Sequence, residues 1–144
     1  MKILVINGPN LNMLGKRDPE KYGVLTLMQI NELLQKKAEE QKVTLIFFQS
    51  NHEGEIIDFL QKQKADGVLI NPGALTHYGY SLRDALVDTR LPAVEVHLSN
   101  IEEREEFRKT DVFTGVVRDR IMGRKDQSYV LGFEKLLEVI KHEH

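Results

Sequence analysis

Lys2-Ile3-Leu4-Val5-Ile6-Asn7-Gly8-Pro9-Asn10-Leu11-Asn12-Met13-Leu14-Gly15-Lys16-Arg17-Asp18-Pro19-Glu20-Lys21-Tyr22-Gly23 joins a short apolar run to a long irregular one. Ile3 to Ile6 are continuous and largely β-branched, the mark of a strand buried on both faces. Amides, glycines and prolines then stop it. The next helical pattern begins only near Thr26, so about 19 residues connect two elements, and loops of that length are usually lids or disordered linkers. Leu11, Met13, Leu14 and Tyr22 give this one apolar anchors, which points to a lid.

Downstream, buried strands and helices alternate. Thr26-Leu27-Met28-Gln29 fits a capping box, and Leu27, Ile30, Leu34 and Ala38 follow at helical spacing to about Gln41. Val43 to Phe48 is the second strand. Ser50-Asn51-His52-Glu53 reads as another capping box, opening a helix that buries Ile56, Ile57 and Leu60. Val68-Leu69-Ile70 is a third strand, stopped by Asn71-Pro72-Gly73. A helix over 81–87 and a strand from Ala93 to Val96 come next. Ser99-Asn100-Ile101-Glu102 opens a short charged helix through Phe107. The fifth strand falls between Val112 and Met122, where charges interrupt the pattern. From Ser128 a final helix places Val130, Leu131, Phe133, Leu136, Leu137 and Ile140 on or near one stripe. Five strands alternating with five helices predict an α/β fold, a parallel sheet covered on both faces.

The composition is that of one soluble domain: 144 residues, 41% apolar, 29% charged and a net charge of −2. A nucleic-acid footprint would need a basic excess. Without cysteine there is no disulfide framework, thiol nucleophile or thiolate metal site. The first apolar run is too short for a signal peptide and no stretch is long enough to span a membrane. A cytoplasmic address is the expectation.

In parallel sheets of this kind ligands bind beyond the carboxyl ends of the strands, where the strand order switches. Asn7 and Asn10 follow the first strand, Asn71 the third and His97 the fourth, while Arg17, Tyr22 and His77 lie on loops leaving the same edge. A phosphate loop does not fit. Gly8-Pro9-Asn10 lacks the second glycine of a dinucleotide fingerprint. Six residues, not four, separate Gly8 from Gly15-Lys16, and Pro9 removes a backbone N–H. Glycine and asparagine acting only as turn formers remain the plain alternative.

Glu95 and His97 lie two apart on a strand and share a face. A carboxylate beside an imidazole fixes its tautomer and favours its protonated form, so His97 is a candidate general acid. A histidine that only satisfies a strand end would look the same, but an unpaired Glu95 in an apolar strand would be costly. Leu98-Ser99-Asn100-Ile101 starts a helix at this edge, and such N–H groups suit an anion; Ser99 as a plain N-cap is compatible with that. A tyrosine phenol ordinarily titrates near ~10, so Tyr22 needs a cation to act as a base, and Arg17 lies five residues earlier. Tyr22 packing the loop is the alternative. Ser81-x-x-Asp84 reads as a capping box, and Arg104, Glu105, Glu106 and Arg108 as a solvated face with Arg108 turned inward. His52, His142 and His144 carry no argument, the last two belonging to a tail. No histidine spacing suits a metal.

Ile6-Asn7-Gly8-Pro9-Asn10-Leu11-Asn12, Gly15-x-Arg17-Asp18-Pro19, Tyr22-Gly23, Asn71-Pro72-Gly73-Ala74-x-Thr76-His77, Ser81-Leu82-Arg83-Asp84-Ala85, Glu95-Val96-His97-Leu98-Ser99-Asn100 and Arg104-Glu105-Glu106-Phe107-Arg108 resemble, in order and spacing, the type II 3-dehydroquinate dehydratases. The resemblance covers about the first three-quarters of the chain. It implies a flavodoxin-like three-layer α/β/α sandwich with a five-stranded parallel sheet, a single catalytic domain over 1–144, and conversion of 3-dehydroquinate to 3-dehydroshikimate in aromatic amino acid biosynthesis. It implies anti elimination through an enolate, without metal or organic cofactor. Tyr22, activated by Arg17, would take the C2 proton; His97, supported by Glu95, would protonate the departing C1 hydroxyl. Asn10 would help hold a water at the enolate oxygen. Asn71, His77 and Arg108 would bind substrate hydroxyls, and the amides of Leu98 and Ser99 its carboxylate. Asp84 would reach a neighbour's site in a dodecamer of trimers. Asp18 stands where the family usually has Glu. After Arg108, Lys109-Thr110-Asp111-Val112-Phe113-Thr114 and Arg118-Asp119-Arg120-Ile121-Met122-Gly123-Arg124 replace the usual His-Ser and Gly-rich pattern. A non-catalytic flavodoxin-like nucleotide or anion binder is the alternative; it has no need of Arg17, Tyr22, Glu95 and His97 together. The Schiff-base class of dehydroquinase needs an eight-fold barrel of about 250 residues, longer than this chain.

Overall fold

A computed structural model describes residues 1–143; His144, read above as tail, lies outside the described residues. Strands β1 (Lys2–Asn7), β2 (Thr44–Gln49), β3 (Gly67–Asn71), β4 (Ala93–His97) and β5 (Asp119–Met122) form one sheet. Every pairing is parallel and the order is β2-β1-β3-β4-β5. That is the flavodoxin-like order, whose switch point lies between β1 and β3. Helices α2 (Leu27–Gln41) and α5 (Gln127–Glu143) cover one face, packing Ile30, Leu34, Tyr129, Phe133, Leu136 and Ile140 on Ile3, Val5, Leu69, Val94 and Val96. Helices α3 (Glu53–Lys62) and α4 (Tyr80–Thr89) cover the other, packing Ile56, Leu60, Leu82 and Leu86 on Leu4, Ile6, Val68 and Ile70. No helix is long and apolar enough to cross a membrane among the described residues.

The expected helix over 99–107 does not form. Asn100, not Ser99, caps a 3₁₀ turn at Ile101–Glu103 through the Glu102 N–H, and a second 3₁₀ turn spans Glu106–Lys109. A three-residue turn sums too few peptide dipoles to act as a helix terminus. The sheet beyond β4 is instead covered by the turns after Thr110, with Phe113 fully buried and Val112, Val116 and Val117 against it. Two of the three capping boxes also fail. Thr26 and Gln29 exchange both bonds, but the Ser50 hydroxyl goes to Glu55 at 2.5 Å, leaving His52 as the uncapped N-cap of α3. Glu53 reaches across to the Leu82 N–H of α4 at 2.9 Å, and α4 starts at Tyr80 without the Ser81–Asp84 box. On α5, Leu131 faces outward at 41% exposure and Tyr129 takes the buried position.

The long loop after β1 is more structured than a plain lid. It contains a 3₁₀ turn at Leu11–Met13 and a short helix α1 (Pro19–Tyr22) capped by the Asp18 side chain. Leu11 and Leu14 belong to the main core. Two glycines clamp the loop's start to the end of β3. A Cβ on Gly8 would run into the Pro72 carbonyl, and one on Gly73, where φ is +61°, would come within 2.9 Å of the Pro9 oxygen. Such positions admit glycine and little else.

Candidate active site

The exits of β1, β3 and β4 surround a cleft enclosing about 540 Å³ including its open mouth. Of the residues singled out from sequence, Asn10, Arg17, Tyr22, Asn71, His77, His97, Leu98, Ser99 and Arg108 all line it. Glu95 stands directly behind His97, and Asp84 is elsewhere.

Helix α1 carries Tyr22 to the cleft. Arg17 donates from Nη2 to the phenol oxygen at 3.0 Å while its guanidinium lies 3.8 Å from the ring centroid. A second cation joins it. Arg104, read above as part of a solvated face, turns into the cleft with its guanidinium 5.5 Å from the Tyr22 ring, and Nη1 donates to Ser99 Oγ at 3.4 Å. Its Nε is buried without a partner among the described residues. The helical periodicity used to place Arg104 outside fails because the chain breaks between two 3₁₀ turns there. The strand-edge rule, which singled out His97, would have reached it.

His97 is 4% exposed and Glu95 not exposed at all. Their side chains emerge on the face covered by residues 112–117, and His97 Nε2 lies 2.5 Å from Glu95 Oε2. The Thr76 hydroxyl donates to the same oxygen. This leaves His97 Nδ1 as the ring nitrogen for the cleft. Burial pushes the Glu95 carboxyl above its ordinary range, opposed by His97.

Asn71 is held rather than free. Its Nδ2 donates to the Tyr129 hydroxyl at 2.9 Å and its Oδ1 accepts from the Gly73 N–H at 3.0 Å, so one amide N–H remains for a ligand. The Tyr129 hydroxyl in turn donates to Asn7 Oδ1 at 2.5 Å, and burial pushes its phenol upward, keeping the proton on. Tyr129 thus ties the ends of β1 and β3 to α5, a role that the apolar stripe beginning at Val130 did not reveal. Tyr129→Phe strands buried amide groups of Asn7 and Asn71. It is expected to cost about 1–3 kcal/mol in urea unfolding and to raise KM more than it lowers kcat.

His77 donates from Nδ1 to the Thr110 carbonyl at 2.7 Å. Burial holds its pKa below the ordinary value despite that bond, and nearby Arg108 adds to the effect. His77 is therefore neutral at pH 7, with Nε2 left as an acceptor. Arg108 pairs with Glu105 and lies 4.7 Å from the Phe107 ring centroid. Asn10 adopts a left-handed conformation, with its N–H on Asn51 Oδ1 at 3.0 Å. Asp84 is exposed on α4, paired with Arg83 at 3.2 Å, and does not enter this chain's cleft.

Glu95, His97 and Asp111 bring donor atoms within 4.8 Å of one another, a spacing short enough for a cation. The surroundings suit a proton better. Arg120 already sits on Asp111 Oδ2 at 2.6 Å, and Glu95 Oε2 is occupied by His97 and Thr76.

Residues 1–137 match the family model described as Dehydroquinase class II. A 3-dehydroquinate dehydratase from Roseiflexus castenholzii is 57% identical over 139 residues, spanning 95% of this chain and 88% of its own. The crystal structure of a type II dehydroquinase from Butyrivibrio crossotus matches with a TM-score of 0.92 at 42% identity, covering 95% of this chain and 97% of that one. For the type II dehydroquinase from Propionibacterium acnes the values are 0.83 and 35%, covering 97% and 96%. Fold and site define a flavodoxin-like α/β protein whose cleft, at the switch point of its sheet, gathers Tyr22, two histidines and three arginines. The chain belongs to the class II dehydroquinase family.

Proposed function

We propose that this chain is a hydro-lyase that converts 3-dehydroquinate to 3-dehydroshikimate, a step in aromatic amino acid biosynthesis, as a single catalytic domain over 1–144. The observation that carries the reading is the pairing of two activated groups across one cleft: Tyr22 under Arg17, and His97 under Glu95. Tyr22 takes the C2 proton, with the charge of Arg17 and the nearby Arg104 stabilising the phenoxide this requires. The resulting enolate is met by a water that Asn10 helps hold. His97 delivers a proton to the C1 hydroxyl, which leaves as water on the opposite face. Asn71, His77 and Arg108 bind substrate hydroxyls, with neutral His77 accepting at Nε2, and the amides of Leu98 and Ser99 receive the carboxylate. A binding module would need neither the base nor the acid.

The exposed position of Asp84 supports the remaining part of the reading. Asp84 of a neighbouring copy completes each site, the copies forming trimers packed into a dodecamer in the cytoplasm. The test is to add 3-dehydroquinate and follow the ultraviolet absorbance of the conjugated enone product. We expect absorbance to grow in proportion to enzyme, and borohydride plus substrate to leave activity intact because no imine forms. Well-folded protein with no absorbance gain would overturn the assignment in favour of a binder.

A further inference from the structure

We propose that Glu95 and Asp111 share a single proton, with Arg120 holding the remaining negative charge on Asp111, so that His97 faces a neutral carboxyl and Asp111 is a positioning residue for the acid. This rests on the reading of His97 given above. The geometry begins with one orphaned atom: Glu95 Oε1 is buried without a hydrogen-bond partner among the described residues. The group nearest in chemistry is a second carboxyl. Asp111 has a side chain only 2% exposed, and an oxygen of it lies within 4.8 Å of both a Glu95 oxygen and a His97 nitrogen. Two buried carboxylates this close cannot both hold a charge cheaply; one retains a proton and donates it to the other.

The surroundings decide which one is the anion. Asp111 Oδ1 accepts the Phe113 N–H at 2.7 Å, and Oδ2 accepts from Arg120 Nη1 at 2.6 Å. Arg120 stands beside Glu95 in the sheet, their Cα atoms in register, and its other nitrogen reaches Glu102 at 2.5 Å. Among the described residues no arginine or lysine is bonded to Glu95, whose one basic partner is His97. The directions agree: burial pushes Glu95 up, whereas Asp111, which burial alone would raise, is held down by the Glu95 carboxyl beside it and by its bonds from Arg120 and the Phe113 N–H. The ionisable groups facing the pair are His97 on β4, Arg120 and Asp119 on β5, Glu102 beyond Arg120, and His77 with Arg108 on the cleft side.

The functional consequence is acid strength. An anionic Glu95 would stabilise the His97 imidazolium and make it a weaker acid; a protonated one moves that charge one carboxyl further away. Asp111→Asn should leave Glu95 ionised, with its Oε1 accepting from the new amide. The alkaline limb of the kcat profile, which reports His97, should then move up by roughly one pH unit, with kcat reduced and KM little changed. If both carboxyls were ionised in the wild type, the same substitution would remove a negative charge and move the limb down. Infrared spectroscopy tests the proton directly, without turnover. The wild type at neutral pH should show one protonated carboxyl C=O band that shifts in D2O and is lost in Asp111→Asn and in Glu95→Gln. An unmoved or falling limb, or no such band in the wild type, would overturn the proposal. Failure of wild-type protein to process 3-dehydroquinate would instead refute the enzyme reading and leave the infrared result standing.

Discussion

Tyr22→Phe is expected to fold normally and to process 3-dehydroquinate roughly 10²–10⁴-fold more slowly, the range a positioned general base contributes. The substitution deletes one oxygen. That oxygen accepts from Arg17 at 3.0 Å and makes no other hydrogen bond among the described residues, while the ring keeps its place under the guanidinium 3.8 Å away. A lost bond to a half-exposed arginine is worth little to the fold, so thermal unfolding should stay within about 1 kcal/mol of wild type. The loss should fall on kcat rather than KM, because proton abstraction belongs to the transition state. Near-normal turnover in the Tyr22→Phe variant would show that Tyr22 only packs the loop.

The loop that delivers Tyr22 illustrates how far the residues alone could be read. Its length and apolar anchors marked it as functional, and the apolar runs of β1 and β3 were legible because buried parallel strands have no polar side to confuse the pattern. The order of strands followed from no local signal, but the rule about carboxyl edges required only that the sheet be parallel. Legibility failed where side chains spend their hydrogen bonds on distant partners. Ser50 and Glu53 have the same spacing as Thr26 and Gln29, yet Glu55 captures the serine and Leu82 the glutamate. β5 was hard to place for the same reason: Asp119 and Arg120 break its apolar pattern, and Arg120 is half-buried only because Asp111 and Glu102 neutralise it. Arg104 was misplaced because charge at helical spacing assumes a helix, and none forms between Asn100 and Thr110.

His97→Ala should be nearly as damaging to turnover as Tyr22→Phe, but unlike it should also change stability, in a pH-dependent way. Without the imidazole the C1 oxygen must leave with no proton donor, an expected loss of roughly 10²–10⁴ in kcat. The same change takes from Glu95 Oε2 its 2.5 Å partner, leaving only the Thr76 hydroxyl in a fully buried site. Burial already pushes the Glu95 carboxyl up, and His97 is the group that most opposes this. Its removal should raise that value further. A carboxyl raised on folding adds most to stability while protonated, and loses that contribution as pH climbs through its folded-state value. The variant should therefore lie closest to wild type in mild acid and fall behind as pH rises, to a deficit of about 1–3 kcal/mol for a stranded buried group. Thermal unfolding of both proteins across a pH series measures the gap. A gap that stays constant with pH would mean that His97 does not govern the Glu95 proton, and near-normal turnover would remove His97 from the role of acid.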